Sequence, residues 1–561
     1  MSPTPYNTPQ ERSAIGATED APGSPSSTGV MRNSLAGSVW TVVSRLTGLG
    51  KALTIGAVLG ATYLGNTYQA INALPNLLFY QLLAGSLFAS LLVPPLIGQL
   101  NRGDRLGSRV LVRGFLGSLL LVGALASVVL VAAGPLIMRL LTLGVTDPAT
   151  GAGQRRVGWL LLVMFVPQVL FYIVAGTGAA VMNAHGRFAL AAAAPALESL
   201  GMIAVLVTAG ALFGTGTGIL QVSNQQLLLL GLGTTAAVGA HAACQWWGAR
   251  SSGLTMIPGA GWRDPEVRQV LRRIIPTLGF TGLAALQAFA MMVVASKVSG
   301  GLVAFQLAYN FFYLPTAVVT WPVARALLPQ LSHLHHAGDR RQFGNELLRG
   351  VVVASFVTIP VAAVYAALAA PLAQALAFGQ LGSGGGWKLT ALSLASLSLG
   401  VIGETWFILG TYAFYAMQDV RSPVRSMVVR VVVTLSLMAV AWLSRGSNVL
   451  VTLGLALSVG SLVGATHIGW QLRDILPRTD LWLPRSLIRT LVASLVMVAA
   501  ARVTLWALRG LPNTKPAQLL AILLAALVGG AVFLAVQAAW RAPELGWLRS
   551  GLARRGSGGG G

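Results

Sequence analysis

Fourteen hydrophobic stretches follow one another along this 561-residue chain, near residues 35–60, 68–98, 111–137, 157–182, 188–213, 226–248, 273–298, 302–330, 348–376, 389–416, 426–444, 448–471, 486–508 and 516–540. Each offers about the 20 mostly apolar residues that a helix needs to cross a hydrocarbon core of roughly 30 Å. No water is available there to take up backbone N–H and C=O groups, so only helices or closed barrels span it, and stretches of this length are helical. The expectation is an all-α polytopic membrane protein with 14 transmembrane helices. Composition agrees: 55% of residues are hydrophobic and only 9% charged, whereas an ordinary soluble domain is about 25% charged. The formal net charge of +23 does not point to nucleic acid, because the basic residues are scattered through short loops with no basic domain or aromatic-basic stripe. A single cysteine, Cys244, lies inside a stretch and excludes an intrachain disulfide framework.

Residues 1–33 are rich in Pro, Ser, Thr and Gly and lack an apolar run, so they read as a disordered cytoplasmic tail. At the other end the run from Arg554 to Gly561 resembles an appended linker. Loop charge sets orientation. The tails and the loops after even-numbered stretches hold 25 Lys and Arg, against 8 in the loops after odd-numbered ones. That asymmetry places both termini in the cytoplasm.

Sliding the chain by about 234 residues exposes an internal repeat. Thr47-Gly48-Leu49 falls on Thr281-Gly282-Leu283, and Gly176-Thr177 falls on Gly410-Thr411, each of the latter followed eleven residues later by an arginine, Arg187 or Arg421. Pro94 precedes Gly103-Asp104-Arg105 just as Pro329 precedes Gly338-Asp339-Arg340. A repeat unit of six helices starts each copy on the same side, so the two six-helix lobes are related by a pseudo-twofold along the membrane normal, and a site between them can alternate its access by rocking. The expected division is a tail (1–33), a first lobe (34–250), a second lobe (251–472), two extra helices (473–541) and a C-terminal tail (542–561).

More than three residues from either end, five cations fall within stretches: Arg45, Lys51, Arg325, Arg430 and Arg502. A charge in hydrocarbon costs a few kcal/mol or more, so it marks a pathway, a ligand or a partner. Arg45 and Lys51 are not repeated, since the same offset puts Gly279 and Ala285 opposite them. One lobe would therefore grip an anionic, asymmetric substrate head-first, and a guanidinium fork suits phosphate oxygens. Lys51 could instead snorkel to the outer interface. Arg325, expected less than two turns from the cytoplasmic end of its helix, is either part of the inner mouth or an interface anchor. Arg430 and Arg502 read as snorkelling or bundle contacts. Glu198 and Glu404, the two acids inside stretches, can serve as coupling sites for a proton or cation or as ion-pair partners of an intramembrane arginine. Prolines at 75, 94, 167, 315, 322 and 360 mark kinks. His333, His335 and His336 read as a solvated loop, no metal site is expected, and without a Walker-type loop ATP is not the direct drive. No enzyme chemistry is indicated.

Several of these residues together resemble the MurJ/MviN family, lipid II flippases of the multidrug/oligosaccharidyl-lipid/polysaccharide exporter superfamily: Ser44-Arg45 with Gly48 and Lys51, Leu74-Pro75-Asn76-Leu77-Leu78, Pro167-Gln168 with Asn183-Ala184-His185-Gly186-Arg187-Phe188, Leu314-Pro315, and Phe414-Tyr415-Ala416 through Asp419, Arg421 and Pro423. The resemblance implies a bacterial inner-membrane flippase for a polyprenyl-diphosphate-linked peptidoglycan precursor, alongside candidate cell-wall synthesis partners. It requires no cofactor beyond a coupling Na+ or H+, left open. Departures are visible too. Phe79, Tyr80 and Gln81 stand where the family usually has an arginine, Asn310 replaces a cavity arginine, Asn66 replaces an acid, and helix 7 lacks a carboxylate. The cationic cavity is thus reduced to Arg45 and Lys51 with Arg325, with Asn76 and Asn310 as polar contacts for sugars. A flippase for another polyprenyl-linked glycan, or a small-molecule antiporter, remains as an alternative.

Overall fold

The repeated Gly-Asp-Arg motif has a structural origin. Gly103 and Gly338 adopt left-handed backbone (φ 70° and 74°), a conformation that glycine reaches without a Cβ penalty. Each is followed by an aspartate that caps a helix: the Asp104 carboxylate accepts from the Gly107 N–H at 2.7 Å and Asp339 from the Gln342 N–H at 2.9 Å. These caps start two helices of 37 residues each, α4 (Arg105–Leu141) and α13 (Arg340–Leu376).

In the computed structural model, residues 27–82, 92–261, 265–272, 275–475, 483–512 and 514–546 are described, and among them there is no strand. The first half comprises α1 (Ser27–Val58), α2 (Tyr63–Asn76), α3 (Val93–Asn101), α4, α5 (Pro148–Phe165), α6 (Pro167–Ala184), α7 (Phe188–Phe213) and α8 (Asn224–Arg250). A short amphipathic α9 (Pro265–Arg272) precedes the second half: α10 (Ile275–Ser296), α11 (Gly301–Pro315), α12 (Trp321–His336), α13, α14 (Gly379–Ser383), α15 (Gly386–Leu397), α16 (Gly400–Ala416), α17 (Arg421–Leu443) and α18 (Asn448–Ile475). Last come α19 (Leu483–Ala507) and α20 (Lys515–Ala539). Among the described residues, eleven helices are long and apolar enough to cross a membrane, or twelve if the bent pair α15–α16 is one span. Neither α1, diluted by its two cations, nor the α2–α3 segment is in that count of the expected 14. Helix α1 begins at Ser27, inside the stretch expected to be tail and eight residues before the expected start near 35, so Arg45 lies 18 residues beyond its start.

Bends have identifiable causes. Pro75 and Pro315 are each followed by a wider π-helical turn, at Leu77–Leu82 and Thr316–Thr320, and Pro167 separates α5 from α6. A proline leaves the carbonyl four residues earlier without its helical partner. Two such carbonyls are satisfied from neighbouring helices: Phe311 O, freed by Pro315, accepts from the Tyr365 hydroxyl at 3.0 Å, and Ala367 O, freed by Pro371, accepts from Arg502 of α19. Arg502 is thus a bundle contact. The kink in α13 falls at Leu368 (φ −114°, ψ 16°), beside Pro371 rather than at the expected Pro360. The 47° bend between α15 and α16 involves no proline. There the Ser458 hydroxyl of α18 enters the ladder, accepting from Gly400 N–H at 3.1 Å and donating to Ser396 O at 2.8 Å.

One large apolar core runs through both halves, joining Ile55, Leu64 and Tyr68 to Leu302, Phe305 and Phe312. Away from it each half has its own core, around Phe115 and Tyr172 in the first and around Phe343 and Phe414 in the second. The shared core lies at the end of the bundle where the arginine-poor loops are, so the lobes meet there, while α3 and α12 pack principally within their own lobes. Helices α19 and α20 pack against each other and against α13, with Phe533 of α20 5.1 Å from the Phe356 ring.

Candidate functional site

At the joined end, Asn66 of α2 carries the shortest polar link between lobes among the described residues. It is 0% exposed. Its amide donates to Val298 O at 2.7 Å, and its carbonyl accepts from the Leu302 and Val303 N–H groups at 3.0 and 3.4 Å, two donors in the first turn of α11. Gly300, with left-handed backbone, lies so close to Ala61 that no side chain fits between them, and Gln380 of α14 donates to Thr215 across the same seam at 3.1 Å. Sequence reasoning noted Asn66 only as a missing acid; its partners are backbone groups more than 230 residues away. Asn66→Ala strands those groups at about 1–3 kcal/mol each. The expected result is a rise of at least about tenfold in labelling of a Ser296→Cys reporter, which lines a small cavity beside Asn66, by an impermeant maleimide in a Cys244→Ser background. Unchanged labelling would remove Asn66 from the seal.

The first lobe gathers four ionisable groups near mid-depth. Glu198 of α7 accepts from the Tyr172 hydroxyl of α6 at 3.0 Å and from Nδ1 of His241, on α8, at 2.9 Å. The Lys51 ammonium of α1 is near enough for its charge to act on the same carboxylate. Helices α1 and α7 run parallel, with Val58 beside Gly210 and Gly50 beside Ile203, which sets Lys51 a few residues above Glu198. Helical side chains lean toward their own N-terminus, which for Lys51 is the direction of Glu198. His241 and Tyr172 were absent from the sequence-derived site: a lone histidine in an apolar stretch gives no local sign of the acid it will meet.

The second lobe uses its acid differently. Glu404 of α16 forms an ion pair with Arg430 of α17 at 2.7 Å, both side chains buried. Ser461 donates to the same carboxylate at 3.4 Å, and the guanidinium stacks 5.1 Å from the Phe407 ring. An arginine stays protonated at any working pH, so this is a fixed, neutral pair.

The remaining expected residues are not drawn into one cluster. Arg45 is exposed on α1, level with Glu198, and among the described residues no ion pair involves it. Asn76 is exposed at the end of α2 and Asn310 is half-buried on α11; the two are equivalent at the 234-residue offset. Arg325 is exposed and stacks on Trp321 at 5.8 Å. Its helix continues eleven residues to His336, so it lies about three turns from the end, not under two as expected. His333, His335 and His336 form the last turn of α12 rather than a loop.

A family model described as "Lipid II flippase MurJ" matches residues 55–525. The lipid II flippase MurJ of Burkholderia cenocepacia is 25% identical over 481 residues, covering 83% of this chain and 89% of that protein. A probable lipid II flippase MurJ of Rhizobium meliloti is 24% identical over 530 residues, 92% of this chain and 94% of the relative. Among solved structures, a lipid II flippase MurJ in an inward closed conformation superposes with a TM-score of 0.69 at 15% identity, covering 90% of this chain and 98% of that one. An inward-facing MATE multidrug transporter gives 0.60 at 13%, covering 77% and 95%.

Proposed function

From the premise that this chain belongs to the MurJ family, we propose that it flips lipid II, a polyprenyl-diphosphate-linked peptidoglycan precursor, across the bacterial inner membrane by alternating access between its two lobes. With both termini cytoplasmic, the Asn66 seam closes the outer face and the cargo enters from inside. The observation that carries this reading is the charge asymmetry. The first lobe presents on α1 both Arg45, in no ion pair among the described residues, and Lys51, whose charge is shared with Glu198, whereas the second lobe's intramembrane Arg430 is held by Glu404 at 2.7 Å. A diphosphate carries about two negative charges; one guanidinium fork meets one of them, and the Lys51 ammonium meets the other by turning from Glu198. Asn76, Asn310 and Arg325 are left to contact sugars and the inner mouth, and cell-wall synthesis proteins are the partners that would consume the product.

The test is native mass spectrometry and binding with purified protein. Undecaprenyl diphosphate should bind at least about tenfold more tightly than the monophosphate, since a charge-assisted hydrogen bond contributes about 1.5–3 kcal/mol. Equal affinity would show that Arg45 and Lys51 do not clamp a diphosphate. The family arginines replaced by Phe79, Tyr80, Gln81 and Asn310 favour a second reading, a flippase for a different polyprenyl-linked glycan. Co-purification of such a lipid in place of lipid II would select it.

A further inference from the structure

The cluster around Glu198 holds more titratable groups than an anion clamp requires. Glu198 is 7% exposed and His241 2%, and each carboxylate oxygen has one donor, Tyr172 on Oε1 and His241 on Oε2. Because Nδ1 faces the carboxylate, Nε2 is the ring nitrogen left to accept a proton. Helix α4, packed on α6, carries Arg105, Arg109 and Arg113 toward one end and Arg139 at the other, α3 carries no ionisable group, and the turn after α2 carries Tyr80. Helix α7 carries no other ionisable side chain, and α6 contributes only Tyr172. Helix α1 brings Lys51, with Arg45 level but exposed. On α8, Cys244 follows three residues on and Arg250 stacks on Trp246 at the far end. From α2, Tyr68 is bonded to Thr234, and on α5 Arg155 and Arg156 lie in the half away from α6.

With His241 neutral, Glu198 and Lys51 cancel, and the cluster has no net charge. A proton added alone would leave a bare positive charge at mid-depth, at a cost of a few kcal/mol or more. An anion that drew Lys51 away would leave Glu198 bare, at a similar cost. Each event is unfavourable alone, and together they compensate.

We propose that Glu198, His241 and Tyr172 form a proton-binding site coupled to the anion site through Lys51. When a diphosphate engages the Lys51 ammonium, about one proton is taken from solvent onto the cluster, held as the Glu198 carboxylic acid or the His241 imidazolium, and returned when the anion leaves. The O–H or N–H bond formed on the cluster replaces one broken in solvent, and it is returned there on release, so no other reactant is needed. The Glu404–Arg430 pair cannot take this role, because its cation does not titrate and among the described residues no second cation pairs with Glu404. This inference deepens the flippase reading and rests on it only for the identity of the anion.

The experiment adds undecaprenyl diphosphate to the purified full-length protein in weakly buffered detergent with a pH-indicator dye. The lipid's own titration is common to all samples, so differences between variants isolate the protein. Wild type should take up about one proton more per bound lipid than either Glu198→Gln or Lys51→Gln. Equal uptake in all three overturns the proposal. An infrared pH titration without lipid is the second readout. A carboxylic-acid or imidazolium band that grows on acidification in wild type and Lys51→Gln, and is lost in Glu198→Gln, supports the proton site. Absence of both bands in wild type overturns it. Should wild type bind no lipid while the infrared band behaves as expected, the cargo reading fails and the proton site stands.

Discussion

Arg430→Ala will destabilise the protein by roughly 3–5 kcal/mol, the cost of leaving one member of a buried ion pair without its partner. Among the described residues Glu404 would keep Ser461 as its hydrogen-bond donor, in a pocket shared with Phe407 and with Gly464, where an added Cβ would already meet the Arg430 stem. Unfolding midpoints in detergent measure the effect. The double replacement Arg430→Met with Glu404→Leu should recover most of the loss, because an apolar pair of similar volume avoids desolvation altogether. It should also leave cargo binding unchanged, since neither charge is assigned to the anion. If the single and double variants are equally unstable, the pair is not what holds α16 to α17.

Arg45→Ala should have the opposite profile. The side chain is exposed, and substitutions at such positions usually shift stability by no more than about 0.5 kcal/mol. Expression and melting should stay normal. Diphosphate affinity and flipping should fall by about ten- to a hundredfold, the equivalent of one charge-assisted hydrogen bond, and growth of a strain that depends on this protein should stop. Normal complementation would remove the anionic headgroup from α1.

How far the sequence reaches depends on whether a feature is local. The Gly-Asp caps of α4 and α13 were legible as a repeat because capping is decided within four residues. Glu404 and Arg430 could be named as alternatives, each needing a counter-charge, although only the packing of α16 near α17 settles which partner it has. The bend at Ser398–Leu399 was not legible: its cause is a hydroxyl on α18, 58 residues from the amide it receives. Likewise, the meeting of His241 and Glu198, 43 residues apart, follows from the register of α7 against α8, which apolar periodicity does not fix. Asn66 looked like a lost charge because its role is to satisfy backbone groups in the other lobe. The prolines at 75, 167 and 315 were read as breaks where bends follow, whereas Pro360 carries no kink and Pro371 was not named; the donors that reach in to Phe311 and Ala367 could be found only in three dimensions.

Among the described residues, helices α19 and α20 pack as a pair on one lobe, chiefly on α13. Arg502 and Lys515 both fasten to α13, at Ala367 and Gln374, and Glu544 returns to Ser486 and Arg489 of α19, so the terminal pair closes on itself and on that single helix. A hinge motion of one lobe against the other would carry this pair along at no cost in contacts. A reporter fused after residue 546 would therefore sweep with the second lobe, making the C-terminus a natural pointer from which the rocking angle could be read against the first.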